Sequence, residues 1–153
     1  MPSTREYPSG MSLIVKTVAR LVASFILLFG SYIALYGHLT PGGGFTGGVI
    51  VACSLILMLL AFGKRLVFQV MSQKAPTVWE CVGALAFLLV AVAGYFGGAF
   101  FLNLFAKGEP FRLFSGGTIP LSNMAIGVKV GAGLFGVYLA LAMFRPSHSR
   151  KVS

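Results

Sequence analysis

Four long apolar runs decide most of what this chain of 153 residues can become. They cover roughly residues 17–36, 45–62, 81–106 and 123–144. A helix that crosses a bilayer needs about 20 predominantly apolar residues, and each run is of that order. Backbone N–H and C=O groups in hydrocarbon must be satisfied within their own element, so such runs fold as helices. Composition agrees: 57% of residues are hydrophobic and 10% charged, where a soluble domain carries about a quarter charged. The fold class read from these features is an all-α integral membrane protein with four transmembrane helices. Residues 1–16 read as a flexible or interfacial segment, 17–144 as the membrane domain and 145–153 as a basic tail. Nothing resembles a signal peptidase site, so the first run is expected to stay as a helix.

An even number of spans puts both termini on one side, together with the loop between the second and third helices. That side holds Arg5, Lys16, Arg20, Lys64, Arg65, Lys74, Arg145, Arg150 and Lys151, against Lys107 and Arg112 on the other. Cytoplasmic loops carry the excess of Lys and Arg, so both termini are expected in the cytoplasm. The formal charge of +9 therefore reflects topology. No basic stripe with interleaved aromatics suggests nucleic acid. The inner loop, KRLVFQVMSQKAPTVWE, admits two readings: an amphipathic interfacial segment ending in the belt residue Trp79, or an unstructured loop. Cys53 and Cys81 show no metal-ligand spacing and read as small hydrophobes in packed helices. Neither a metal nor a redox cofactor is expected, since cluster, haem and phosphate-loop motifs are missing from the sequence.

Lys129 lies well inside the fourth run, about two turns from its outer end. A charge at that depth faces protein or water rather than lipid. On a helical wheel it clusters with Ala125, Ala132, Gly133, Gly136 and Ala140, while Ile126, Val130, Leu134, Val137, Leu141 and Phe144 form a separate bulky stripe. Small residues mark close helix approach and the bulky stripe suits lipid. Lys129 is thus read as facing a protein interface or a polar cavity. It is either a structural cation held by carbonyls or a partner's acid, or a participant in proton transfer, a role that desolvated lysines take. The second is preferred, because ionisable residues within membranes usually serve function. Gly127 and Gly131 form a GxxxG pair on another face of this helix, and Gly94 and Gly98 form one in the third. Both are read as packing positions. Glu6, Glu80 and Glu109 all fall at or beyond the ends of the runs. Without a carboxylate at mid-membrane the chain is not expected to be an antiporter by itself.

The connection between the first two helices reads GHLTPGGGFTGG, residues 37–48. Pro41 ends helical geometry, and Gly42, Gly43 and Gly44 permit backbone conformations closed to other residues. Two readings stand on these grounds. One is a tight outer turn. The other is a re-entrant or close-packed turn whose backbone lines an aqueous path beside His38, itself a group able to relay protons at ordinary pH.

GHLTPGGGF followed by Gly47 and Gly48 strongly resembles the MnhB family, one of the small membrane subunits of the Mrp-type multisubunit Na+/H+ antiporters. GTIPLSNMAIGVKVGAG, residues 117–133, resembles the family's second signature, including its asparagine and lysine at Asn123 and Lys129. Thr46 is a mild departure, as is a long outer loop rich in phenylalanine. The resemblance implies a four-helix chain seated among other hydrophobic subunits, including large antiporter-like ones, which would bring the missing carboxylates. It also implies Na+ and H+ as transported ions in the cytoplasmic membrane. Lys129, His38 and Asn123 become the expected proton or ion path, with Pro41, Gly42 to Phe45, Gly47 and Gly48 shaping the backbone around it. Equivalent subunits also occur in membrane-bound hydrogenases and related ferredoxin-driven complexes, which is the alternative host. A purely structural scaffold is the third reading.

Overall fold

In the computed structural model the described residues are 11–39, 41–63, 72, 74–98 and 116–144. Four helices account for nearly all of them: α1 Leu13–Leu35, α2 Gly43–Phe62, α3 Ala75–Ala93 and α4 Ile119–Phe144. A short 3-10 helix, Gly94–Gly97, extends α3. At 1.5 Å per residue, even the 20 residues of α2 make about 30 Å, the thickness of a hydrocarbon core. Four spans long and apolar enough to cross a membrane are present.

Local chemistry sets where each helix begins and stops. Ser12 caps α1 by accepting a hydrogen bond from the Val15 N–H at 3.5 Å, satisfying one of the donors a helix start leaves open. Gly63, at φ 81°, ends α2, a conformation that glycine adopts without a Cβ clash. Pro76 lies in the first turn of α3, where its missing N–H costs nothing. Thr17, Ser24 and Ser31 donate their hydroxyls to the carbonyls of Leu13, Arg20 and Leu27 in their own helix. These three exposed hydroxyls are thereby satisfied within the helix.

All four helices start before the apolar runs read in the sequence, α2 by two residues and the other three by more. α1 begins at Leu13 and α4 at Ile119, each four residues earlier than the apolar runs suggest. α3 begins at Ala75 rather than 81 and its regular part ends at Ala93. The reason is the same in these three helices. Lys16, Ser122 and Glu80 interrupt an apolar run without interrupting the backbone hydrogen bonds of a helix. Glu80 therefore stands in the second turn of α3 and not at or beyond a helix end. Gly94 and Gly98 do not share a helix face either, because α3 tightens at Gly94 and Gly98 sits at φ 99° beyond it. The expectations for the two tails, for the inner loop over residues 64–71 and for the outer loop over residues 107–115 lie outside the described residues.

The helices stand in a row in the order α1, α2, α4, α3. Among the described residues α1 packs on α2, α2 on α4 and α4 on α3, with a slighter contact between α1 and α4; α3 meets neither α1 nor α2. The α1–α2 pair is antiparallel, tied at one end by the Met11 N–H to the Ala61 carbonyl at 3.2 Å and midway by Ser54 Oγ, which donates to the Ala23 carbonyl at 2.7 Å. α2 and α4 run parallel with glycine against backbone. A Cβ on Gly48 would lie 2.6 Å from the Gly127 carbonyl oxygen, and one on Gly131 would lie 3.2 Å from that of Gly48. The expected packing role of Gly127 and Gly131 falls on this seam. A small core of Leu59, Phe135 and Leu139 closes it toward the far end. A row leaves two broad faces uncovered, which accounts for the exposure of Leu134, Val137, Leu141 and Phe144 along the bulky stripe of α4. Val130 and Ile126 correct the reading of that stripe as facing lipid: both are half-buried, and Val130 packs against Gly48 in the α2 seam. Cys53 and Cys81 correct the sequence reading: they are free, exposed thiols and do not pack inside the chain.

Candidate functional site

The turn between α1 and α2 is built from backbone that needs glycine. Gly42 at φ 118° and Gly43 at φ 63° reverse the chain out of α1 and start α2, in a region where side chains are disfavoured. Gly44, the next residue, lies flat on α4: a Cβ there would collide with the carbonyl oxygen of Asn123. The Asn123 side chain fills the space under the turn. Its Nδ2 would be 2.9 Å from a Cβ on Gly37 and its Oδ1 3.7 Å from one on Gly43. His38 is half-buried, with its Nδ1 enclosed. Its ring lies against the start of α4, where a Cβ on Gly116 would be 3.2 Å from Cδ2.

The two glycine-rich segments, 80 residues apart in the chain, thus form one constellation at one end of the row. Asn123 lies against Gly37, Gly43 and Gly44 there and His38 against Gly116, with Gly47 and Gly48 continuing along α2. Pro41 and Phe45 belong to the turn but point away from it; Phe45 is 62% exposed. Below the turn, a cavity of about 270 Å³ opens where α1, α2 and α4 meet, lined by Ser31, Ala34, Gly47, Gly48, Met124 and Gly127 among others. Its lining is largely apolar, so it continues the polar turn without providing a chain of hydrogen-bonding groups.

Lys129 is not part of this constellation. It is ten residues beyond Ile119, or about 15 Å along α4, so it lies deeper than its place in the apolar run suggests. At about 100° per residue it also sits roughly a third of a turn away from Asn123 around the helix. Its backbone packs on α3, where a Cβ on Gly83 would be 2.7 Å from the Lys129 nitrogen. The side chain is exposed at the edge of this seam. Of the two surroundings expected for it, no closed polar cavity encloses it among the described residues.

The structure adds two residues: Gly83, which the sequence reading did not single out, and Glu80, which it placed at or beyond a helix end. Gly83 is the contact that brings α3 down onto Lys129. Glu80, half-buried, lays its carboxyl group over Gly133, whose Cβ would be 3.5 Å from Cδ. The signal for Glu80 was Pro76, which starts a helix readily and so moves the carboxylate inside the span. Among the described residues no three His, Cys, Asp or Glu side chains come together as a metal site.

A family model described as a domain related to the MnhB subunit of Na+/H+ antiporter matches residues 14–136. That stretch contains both halves of the glycine-rich constellation and Lys129. The chain belongs to the MnhB family. Among its relatives, the B-type subunit of the Na+/H+ antiporter of Bacillus subtilis is 34% identical over 131 residues, 84% of each chain. An uncharacterised protein of Methanocaldococcus jannaschii is 38% identical over 128 residues, 79% of this chain. The match spans 48% of that longer protein. Among solved structures, a chain of the membrane-bound sulfane sulfur reductase, an archaeal respiratory membrane complex, superposes with a TM-score of 0.66 at 32% identity. The match covers 88% of this chain and 61% of that one. MnhB chains are subunits of multisubunit membrane complexes, and this one is a multi-pass protein of the cell membrane.

Proposed function

We propose that this chain is a non-catalytic subunit of a multisubunit Na+/H+ antiporter in the cytoplasmic membrane, where it helps form the path of protons or cations. The observation that carries the reading is the match to the Bacillus subtilis antiporter chain, which runs through both signature segments and covers 84% of each chain. The open row of helices supports it, since two uncovered apolar faces suit a subunit seated among others. Lys16, Arg20 and Lys74 stand at or near the same end of the row, where α1 and α3 start and α2 stops. Their excess of positive charge puts both termini in the cytoplasm.

In this reading Lys129 is the charge that gates or relays protons, and His38 with Asn123 forms the contact to the outer side. Glycines 42 to 44 hold the turn so that the histidine and the asparagine both lie at the mouth of α4. Large antiporter-like subunits supply the neighbouring surfaces, and Na+ and H+ are the ions exchanged. A second reading is favoured by the match to the sulfane sulfur reductase chain: the same membrane module serving a redox-driven ion pump, with all redox groups in other chains.

Purification of the complex from native membranes in mild detergent separates the two. Hydrophobic partner chains without iron identify the antiporter, and the same partners with iron–sulfur chains identify the respiratory host. Sodium-driven proton movement in everted vesicles then tests the role of Lys129. Normal exchange by an assembled Lys129→Ala complex would remove Lys129 from the path and leave the scaffold reading.

A further inference from the structure

We infer that Glu80 is the acidic counterpart of Lys129, the two forming an acid–base step within the bilayer across the α3–α4 seam. The inference rests on the reading of Lys129 as part of a proton path and extends it to a residue on a second helix.

The two helices are antiparallel, and their contacts form successive rungs. Gly83 of α3 meets Lys129, Glu80 meets Gly133 and Pro76 meets Gly136. Glu80 and Lys129 thus belong to neighbouring rungs of one seam. Seen along α4, Lys129 and Gly133 are four residues apart and lie on one face, about one helical turn from each other. The carboxyl group is held close to the α4 backbone because position 133 has no side chain: its Cδ, Oε1 and Oε2 would be 3.5, 3.6 and 3.8 Å from a Cβ there. A larger residue at 133 pushes the carboxylate off the stripe that carries the lysine.

Between α3 and α4 on this side lies a groove of about 360 Å³ lined by Pro76, Thr77, Glu80, Gly133, Gly136 and Ala140 among others. It has room for several waters, and Thr77 and Glu80 give them partners. The groove stops short of Lys129, and the flexible four-carbon stem of lysine is long enough to reach across the remaining turn. Among the described residues α3 packs only on α4. Lys74 at the start of α3 and the exposed Cys81 are the other titratable groups near Glu80 on its own helix, and Lys129 is the charged residue of the facing one.

The chemistry of such a pair suits hydrocarbon. Transfer of a proton from the Lys129 Nζ ammonium to the Glu80 carboxylate, directly or through water in the groove, leaves a neutral amine and a neutral carboxylic acid. Return of the proton restores ammonium and carboxylate. The sum of the two charges is zero in both forms, so no net charge is stranded in the membrane at either stage. A proton accepted from one side and released to the other completes a passage.

The test uses the intact complex in everted membrane vesicles, with sodium-driven proton movement and subunit abundance read in parallel. Glu80→Gln should lower exchange roughly 100-fold, the scale of a proton-transfer group, with the subunit still assembled. Glu80→Asp should keep part of the activity. The Glu80→Gln/Lys129→Gln double variant should be no slower than either single one, because both changes remove the same step. Full exchange by Glu80→Gln alongside an inactive Lys129→Ala overturns the pairing and leaves the role of Lys129 standing. Full exchange by both variants overturns the path reading itself. The wild-type complex gives a readout that needs no variant to assemble. A hydrophobic carbodiimide should modify Glu80, mapped by peptide mass, with exchange lost in proportion. Modification of Glu80 with exchange intact overturns the inference.

Discussion

The two seams of α4 share one device and differ in what else they hold. Against α2, glycine meets backbone at Gly44, Gly48, Gly127 and Gly131. Against α3, Gly83 meets the backbone of Lys129 in the same way, but Gly133 leaves room for the carboxyl group of Glu80. The first seam holds the chain together and sets the turn between α1 and α2. The second is open along one edge and keeps two ionisable groups near the middle of the row. Small residues thus do two different jobs on a single helix, and only the contact partner tells them apart. Without a hydrophobic drive between helices in lipid, close van der Waals packing carries the first job. The second depends on leaving volume unfilled.

The largest effect should come from closing the glycine gap of the first seam. Gly44→Val places a branched side chain into the Asn123 carbonyl. Overpacking typically costs about 1–3 kcal/mol and sometimes more, and backbone cannot yield as a side-chain tip does. The expected result is a subunit missing from the complex on immunoblots, with exchange lost in consequence. Lys129→Ala comes next and should separate the seams: exchange falls while the subunit remains at normal abundance. If Lys129→Ala instead removes the subunit from the complex, the second seam is structural like the first.

His38→Gln is expected to act more mildly. Glutamine keeps a hydrogen-bonding side chain under the turn but cannot take up and release a proton at neutral pH. Exchange should fall severalfold, with assembly intact, as measured in the same vesicles. Unchanged exchange would confine His38 to shaping the turn alongside Asn123.

How much of this is legible in the sequence follows the same division. The existence of four spans is readable because hydrocarbon imposes length and apolarity on any helix. The exposed part of the bulky stripe of α4, from Leu134 to Phe144, is readable because uncovered positions repeat at helical spacing, whereas Val130 of the same stripe turns into the α2 seam. What the sequence hides is pairing. That Asn123 sits beneath Gly37 and Gly43 depends on α2 and α4 running parallel in direct contact, which no local pattern encodes. Lys129 stands out as a charge in an apolar run, yet its neighbour Glu80 does not, because the apolar run starts after it while the helix starts before it. Gly94 and Gly98 have the spacing of a packing pair but lack the shared helix that gives such spacing meaning. Cys53 and Cys81 read as inward on residue type alone, which says nothing about which face of a helix a residue occupies.

Ser54→Ala offers the smallest effect and the finest control on the comparison. Ser54 Oγ is buried and donates to the Ala23 carbonyl across the α1–α2 contact at 2.7 Å. Hydrogen bonds between membrane helices contribute on average about 0.6 kcal/mol, and alanine fits the space of a serine. The subunit should therefore assemble normally, lose a little resistance to thermal dissociation in detergent, and support full exchange. Combined with Gly44→Val it should change nothing further, since the α2 contacts are already lost. Combined with Lys129→Ala the two effects should add, because the positions lie on different seams and share no partner. A Ser54→Ala variant that alone abolished exchange would mean that α1 belongs to the ion path, and the division between a holding seam and a working seam would no longer stand.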